Sequence, residues 1–131
     1  MRSLLIVLFL VSTASAEPTL TEPQAVAAAK AWMKAVRAGN TAALAKLSAL
    51  PLPVAVDMTG CKLEKMVGKG ELAKHAGCLQ KSIGKAKWRD DRWRGALREG
   101  AWHVEQTLGD ASFHIDLTVS AGRVVRVQAG P

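Results

Sequence analysis

The sequence predicts an α+β domain in which N-terminal helices pack on one face of a curved antiparallel sheet. Two patterns carry this prediction. Apolar residues recur at helical spacing in the first half of the chain, whereas apolar and polar residues alternate from Lys85 onward, as in half-buried strands. Residues 17–131 have the size of a single domain that can bury a core, and an N-terminal leader precedes them.

The first two helices are marked by capping residues. Thr21 can act as an N-cap, with Pro23 in the first turn and Gln24 at the capping-box position. Gly39 suits the left-handed conformation that ends a helix. Asn40 can then cap a second, short helix.

Two strands and a third helix are expected next. Alternation over residues 54–58 predicts a strand, Thr59-Gly60 a turn, and residues 62–67 a second strand. Apolar residues at helical spacing predict a helix over residues 68–83, and Gly84 ends it.

The remainder of the chain predicts an antiparallel meander. Apolar and polar residues alternate over residues 102–107 and again over residues 113–119. Gly109-Asp110 is predicted as a two-residue turn between these strands. Ser120-Ala121-Gly122 suits a three-residue turn before a last strand.

The first sixteen residues have the build of a secretory signal peptide. A basic start at Arg2 precedes the apolar run LLIVLFLV, and Ala14-Ser15-Ala16 is a cleavage signature. The run is shorter than the roughly 20 residues that span a bilayer, and no later run reaches that length. We therefore expect cleavage after Ala16, a mature chain of residues 17–131 without a transmembrane anchor, and a secreted or periplasmic location.

Cys61 and Cys78 are the two cysteines of the chain. An even count in an oxidising compartment favours a disulfide between them. Two buried free thiols or a metal pair are the alternatives, although no CxxC or neighbouring His cluster supports a metal. No cofactor is expected, since the chain has no P-loop, GxGxxG, HExxH or GxSxG motif.

The net charge is +7, and residues 61–98 concentrate it, with eleven Lys and Arg against four Asp and Glu. Such a block attracts polyanions, although a solvated surface that keeps the protein soluble is the simpler interpretation. Trp88 and Trp93 stand among the cations from Lys85 to Arg94, a combination that resembles a surface for single-stranded nucleic acid. No nucleic-acid-binding motif accompanies it, so nucleic acid is not the expected partner. The two tryptophans also predict either a tight hairpin with a Trp–Trp pair or one long bulged strand.

Three segments resemble the nuclear transport factor two-like superfamily, including its SnoaL-like members. They are AVAAAKAWMKAVRAGNTAALAKL (residues 25–47), MVGKGELAKHAGCLQ (66–80) and WHVEQTLGDASFHIDLTVSAGRVVRV (102–127). The resemblance implies a cone-shaped domain with a pocket between the concave face of the sheet and the helices. Some members are isomerases, hydrolases or cyclases, and others bind ligands or partners or form dimers, so the fold alone does not choose a function.

Two enzymatic branches of this superfamily cannot be matched residue by residue. The ketosteroid isomerase-like branch uses a tyrosine in its oxyanion hole, and this chain has no tyrosine. The epoxide hydrolase-like branch relies on an Asp–Arg–Asp set that has no recognisable counterpart here.

The predicted strand register brings polar side chains together on one face of the sheet. His103 is expected to face Asp116, Glu105 to face His114, and Asp116 also to face Arg126. His103, Glu105, His114 and Asp116 could bind a divalent metal, or His103 and Asp116 could support acid–base catalysis. An outer sheet face stabilised by opposite charges is the simpler interpretation.

Other candidates come from single positions. Asp57 could point a carboxylate into the cone mouth, although a turn or capping role is the commoner one. His75 lies near the apolar stripe of the third helix and could line the pocket or occupy the core boundary. The tryptophans are expected to line the core or a ligand pocket, namely Trp32, Trp88, Trp93 and Trp102.

These observations favour a non-enzymatic domain that binds a small apolar ligand or a protein partner. The alternative is a SnoaL-like isomerase or hydrolase-type enzyme that uses Asp57, His75 or the His103–Asp116 group. A further alternative is a polyanion-binding surface on residues 85–98. A homodimer is also compatible with the sequence.

Overall fold

The computed structural model describes residues 20–88, 93–107 and 113–131. Three sequence predictions lie outside the described residues. They are the signal peptide over residues 1–16, the form of the segment between Trp88 and Trp93, and the turn at Gly109-Asp110.

Three helices and six strands make up the described chain. The helices are α1 (Glu22–Ala38), α2 (Thr41–Leu47) and α3 (Leu72–Leu79); a 3₁₀ turn (Lys69–Glu71) precedes α3 and a π-helical turn (Gln80–Gly84) follows it. The strands are β1 (Leu52–Met58), β2 (Cys61–Val67), β3 (Arg94–Arg98), β4 (Ala101–Thr107), β5 (His114–Ser120) and β6 (Arg123–Gly130). They form one sheet in the order β2-β1-β6-β5-β4-β3, so the predicted α+β class is confirmed.

The predicted helix ends are confirmed by their hydrogen bonds. The Thr21 hydroxyl accepts the Gln24 N–H at 3.4 Å, and the Gln24 side chain accepts the Thr21 N–H at 2.9 Å. Gly39 closes α1 at φ 64°, a conformation that glycine adopts without steric cost. The Asn40 side chain accepts the Ala43 N–H at 3.1 Å and caps α2.

The sheet is mixed, and the prediction of a wholly antiparallel sheet is wrong at one pair of strands. β1 and β6 run parallel, whereas the other neighbours are antiparallel. The helical connection from β2 to β3 is the cause, because it lets β3 run in the same direction as β2. Three successive reversals then bring β6 alongside β1 in the same direction.

The two faces of the sheet differ sharply. Alternate residues of β1 are buried, starting at Leu52, and the matching positions of β4, β5 and β6 join the same core as the helices. We call this the inner face and the opposite one the outer face. Trp32 of α1 is fully buried in that core, and its indole N–H donates to the Ser48 hydroxyl at 2.9 Å.

The predicted disulfide between Cys61 and Cys78 is confirmed. It joins the start of β2 to α3 across a Cα–Cα distance of 5.1 Å. The bond therefore fixes the third helix to the edge of the sheet. In the described ranges, none of the helices combines the length and the hydropathy that crossing a membrane requires.

Replacing both cysteines by serine should lower the free energy of unfolding by about 3 kcal/mol, because an 18-residue loop is no longer closed in the unfolded chain. Urea denaturation with and without reductant measures this. The parent should lose stability on reduction, and the double variant should not respond. A parent that is indifferent to reductant would contradict the structural role of the bond.

A second local contact precedes α3. Lys65 Nζ donates to Glu71 Oε2 at 2.6 Å, and the Gly68 N–H donates to the other carboxylate oxygen at 3.4 Å. The hydrogen bond from Lys65, together with the Gly68 N–H and the charge of Lys65, lowers the pKa of the Glu71 carboxyl below its ordinary value of 4.5. The contact is exposed, so its contribution at neutral pH is small.

Glu71 should therefore add to the acid sensitivity of the fold. A carboxyl whose pKa is lower in the folded state stabilises that state above its ordinary pKa, and the contribution is lost as the pH falls through the lowered value. Glu71→Gln should flatten the dependence of the unfolding free energy on pH below about 5. Urea titrations across that range measure the slope. Lys65→Gln removes the main cause of the shift and should flatten the slope similarly; an unchanged slope in both variants would contradict the assignment.

Candidate functional site

The outer face carries the polar patch in a register that differs from the predicted one. Glu105 lies opposite Asp116, and Thr107 lies opposite His114. The predicted facing pairs His103–Asp116 and Glu105–His114 are therefore wrong by two residues. A shift of two keeps every side chain on its own face, so the alternation of apolar residues cannot distinguish the two registers.

The second hairpin also differs. Its turn is the two-residue Ala121-Gly122, with both residues at positive φ, and a bulge follows where the pairing shifts between Thr118 and Val119. Asp116 consequently lies opposite Gln128, and the predicted pairing of Asp116 with Arg126 is wrong. The turn is one residue shorter than predicted, which by itself would move the later apolar residues of β6 to the outer face. The bulge adds one residue to β6 and so returns them to the inner face.

One contact of the predicted patch forms despite the altered register. His103 Nδ1 and Asp116 Oδ2 lie 3.5 Å apart along a diagonal, and both side chains are about a quarter exposed. The other oxygen of Asp116 is buried without a hydrogen-bond partner in the described chain. Glu105 lies instead 3.6 Å from the exposed Arg98 guanidinium.

The patch does not assemble a metal site. His103, Glu105, His114 and Asp116 share the outer face, but within the described ranges no three His, Cys, Asp or Glu residues come together as ligands. The same face holds a depression of about 450 Å³, with the carboxylates of Asp57, Glu64 and Asp116 and the His114 imidazole in its lining. The titratable side chains of this lining are exposed or partly exposed, so the depression is open to solvent.

Of the remaining titratable candidates, Asp57 shares the lining of this depression with Asp116, whereas His75 is not part of that lining. Asp57 is exposed on the outer face, where it lies opposite Lys62. His75 is half-buried in α3, and its Nε2 is buried without a partner in the described chain. The structure therefore does not bring Asp57, His75 and the His103–Asp116 contact into one site.

Three of the four tryptophans already use their indole N–H within the fold. Trp32 bonds to Ser48, the buried Trp88 donates to the Ile83 carbonyl at 2.7 Å, and Trp102 donates to the Leu20 carbonyl at 2.8 Å. Trp93 differs from them. It is half-buried, and its indole nitrogen is buried without a hydrogen-bond partner in the described chain.

Gln106 of β4 is a further candidate that the sequence analysis does not identify. It occupies an inner-face position and is only 3 % exposed, yet neither atom of its amide has a hydrogen-bond partner among the described residues. The alternation of residues along β4 indicates its position, because it places Gln106 on the same face of the strand as Trp102 and Val104.

The surroundings of Gln106 on the sheet are apolar. β3 begins at Arg94, which pairs with Glu105, and continuing this register by one residue would place Trp93 opposite Gln106. On the other side Gln106 pairs with the fully buried Ile115. The row continues across the inner face through Ala129, Val56 and Leu63. We call Gln106 and Trp93 the inner polar pair.

No protein-family model matches the chain, and no curated protein matches it by sequence. Among solved structures, the chain is similar to a "putative ketosteroid isomerase from Kribbella flavida DSM 17836", with 21 % identity and a TM-score of 0.46. That match covers 84 % of this chain and 79 % of the other. No residue role follows from this similarity.

Cysteine crosslinking tests the outer-face register. The pair H103C/T118C should form a disulfide, because directly opposite residues have Cα atoms about 4.5 to 5.5 Å apart. The pair H103C/D116C should not, because diagonal positions are too far apart for a bridge. Peptide mapping by mass spectrometry identifies the bridge and shows that Cys61–Cys78 is retained. Efficient crosslinking of only the second pair would support the register expected from the sequence.

Proposed function

We propose that this protein is an extracytoplasmic binding domain that takes a small, mainly apolar ligand with one neutral hydrogen-bonding group. The ligand would lie on the inner face of the sheet, with its polar group at the inner polar pair. The observation that carries this proposal is the buried amide of Gln106, which lacks a partner at both of its polar atoms in the described chain.

Polar groups that are buried without a hydrogen-bond partner destabilise the fold. A buried donor or acceptor without a partner costs about 1 to 3 kcal/mol, and Gln106 contributes two such atoms. An apolar side chain at this position would avoid that cost. A ligand that bonds to the amide removes the cost on binding, which accounts for a glutamine in an otherwise apolar row.

The chemistry of the pair defines the ligand class. The Gln106 amide offers donors and an acceptor, and the Trp93 indole offers one further donor. Neither side chain is charged, so a neutral amide, alcohol or ketone fits better than an ion, which would be costly to bury there. The apolar neighbours favour a hydrocarbon body for the rest of the ligand.

The predicted leader and the Cys61–Cys78 bond support the extracytoplasmic location. Disulfides persist in oxidising compartments, and a secretory signal delivers a chain to one. Absence of residues 1–16 from the mature protein, read by N-terminal sequencing, is the corresponding test.

A second candidate function is acid–base catalysis on the outer face. The contact between His103 and Asp116 favours it, together with the unpartnered Asp116 oxygen. We prefer the inner site because catalytic groups of this kind generally work in an enclosure that excludes water, and the depression on the outer face is open to solvent.

Substitution of Gln106 tests the binding proposal. Gln106→Leu keeps a similar volume and removes both unpartnered atoms, so it should raise the unfolding free energy of the ligand-free protein by about 1 to 3 kcal/mol. It should also abolish the stabilisation that decanamide, an apolar chain with a terminal amide, gives to the parent. Thermal and urea denaturation with and without decanamide measure both effects.

Gln128→Leu is the matched control, because Gln128 is exposed on the outer face of β6. It should leave the response to decanamide unchanged. A Gln106→Leu variant that is less stable than the parent and still responds to decanamide would contradict the proposal.

A further inference from the structure

The helices of this protein form one layer and the sheet forms the other. The helical layer carries a large excess of positive charge. We define the helical layer as residues 22–47 and 69–88, which contain all three helices and the two helical turns. It holds nine Lys and Arg against two Glu, namely Glu22 and Glu71. All nine cations are exposed, and eight of them are lysines.

Five of these cations belong to neighbouring elements. Lys30, Lys34 and Arg37 form an exposed stripe on α1, at spacings that place them on one side of a helix. The π-helical turn packs on the end of this helix. Lys81 and Lys85 extend from that turn.

Two contacts fix the turn against α1. The side-chain nitrogen of Gln80 donates to the Arg37 carbonyl at 2.9 Å. A Cβ added to Gly84 would lie 3.2 Å from Val36 and 3.6 Å from Arg37 Cα, so the two backbones are in close contact. We call the four lysines among these cations, Lys30, Lys34, Lys81 and Lys85, the lysine surface.

Both acidic residues of the layer bond to groups outside this surface. Glu22 lies at the opposite end of α1, where its carboxylate accepts the Gly95 N–H at 2.9 Å. Glu71 bonds to Lys65. The lysine surface therefore presents a positive potential to solvent.

We propose that the lysine surface docks on a membrane surface of anionic phospholipids. Lysine is a compact, hydrated point charge that suits an array of phosphate groups, whereas arginine would indicate bidentate recognition of single groups. These lysines are spread over two elements, so a planar array of phosphates would meet more of them than a single polymer strand does. This proposal is independent of the inner polar pair.

The structure also argues against nucleic acid at this surface. Stacking of bases requires exposed aromatic rings. Trp32 and Trp88, the tryptophans of the helical layer, are both buried. The alternative polyanion site on residues 85–98 thus loses its stacking platform at Trp88.

Docking should be peripheral and electrostatic. In the described ranges, the large apolar side chains with the greatest exposure are Met66 and Leu97, on β2 and β3 rather than in the helical layer. No apolar insertion is therefore expected from this layer. Binding should weaken strongly as salt is added, since salt screens charges over about 10 Å at 0.1 M ionic strength.

Vesicle co-sedimentation tests the proposal with the full mature chain. It should sediment with phosphatidylcholine vesicles that contain phosphatidylglycerol and should remain in solution with phosphatidylcholine alone. The variant K30Q/K34Q/K81Q should bind about a hundredfold more weakly, at roughly fivefold per lysine near the surface. Circular dichroism of the variant confirms that it is folded.

The control R94Q/R123Q/R126Q removes the same charge from exposed positions of the sheet. It should lose much less affinity, because these groups lie on the other layer. Equal losses in the two variants would show a net-charge effect without a docking surface and would overturn the proposal. Binding to heparin or single-stranded DNA without binding to the anionic vesicles would overturn it in favour of a soluble polyanion.

Discussion

The packing of α1 across one face of the sheet is the constraint on which the rest of the structure depends. Trp32 lies at its centre, fully buried, with its indole N–H bonded to Ser48. Ser48 forms a bridge with Val124, and the Ala49 N–H donates to the Val124 carbonyl at 2.9 Å. The helix is thereby tied to β6 near the middle of the sheet, and a fully buried tryptophan contributes several kcal/mol to that attachment.

This packing makes the two faces of the sheet chemically different. The contact of His103 with Asp116 lies on the outer face, where both side chains are about a quarter exposed, so it is only weakly stabilising. A polar group on the inner face is dehydrated, so the unpartnered amide of Gln106 is costly. The amide of Gln106 on the inner face therefore indicates a ligand more strongly than the contact on the outer face does. This difference is the basis for preferring a ligand on the inner face.

The sequence predicts the helices and strands and which side of each is buried. It does not predict how the strands pair. Helix caps and the Cys61–Cys78 bond follow from local residue chemistry, and both are present. The register between β4 and β5 depends on the connecting turn, and two registers that differ by two residues bury the same side chains. The parallel pairing of β1 with β6 depends on the path of the helical connection, which no local pattern encodes.

The candidate site was predicted less well than the fold. The charged and imidazole side chains predict a site at His103, Glu105, His114 and Asp116. These residues share a face but do not form a metal site in the described chain. Gln106 has no charge and no motif, and its importance depends on burial that only the assembled structure reveals. Trp93 was expected among four tryptophans, and only the bonding of the other three distinguishes it.

In the proposed ligand site, Gln106 and Trp93 form the polar end on the inner face. Proton–nitrogen correlation spectra of the labelled protein during a decanamide titration test it most directly. We expect the Gln106 side-chain amide and the Trp93 indole resonances to shift together. The Trp32 indole, held by Ser48, should not move. Shifts confined to residues of the outer face, or none at either member of the inner polar pair, would contradict it.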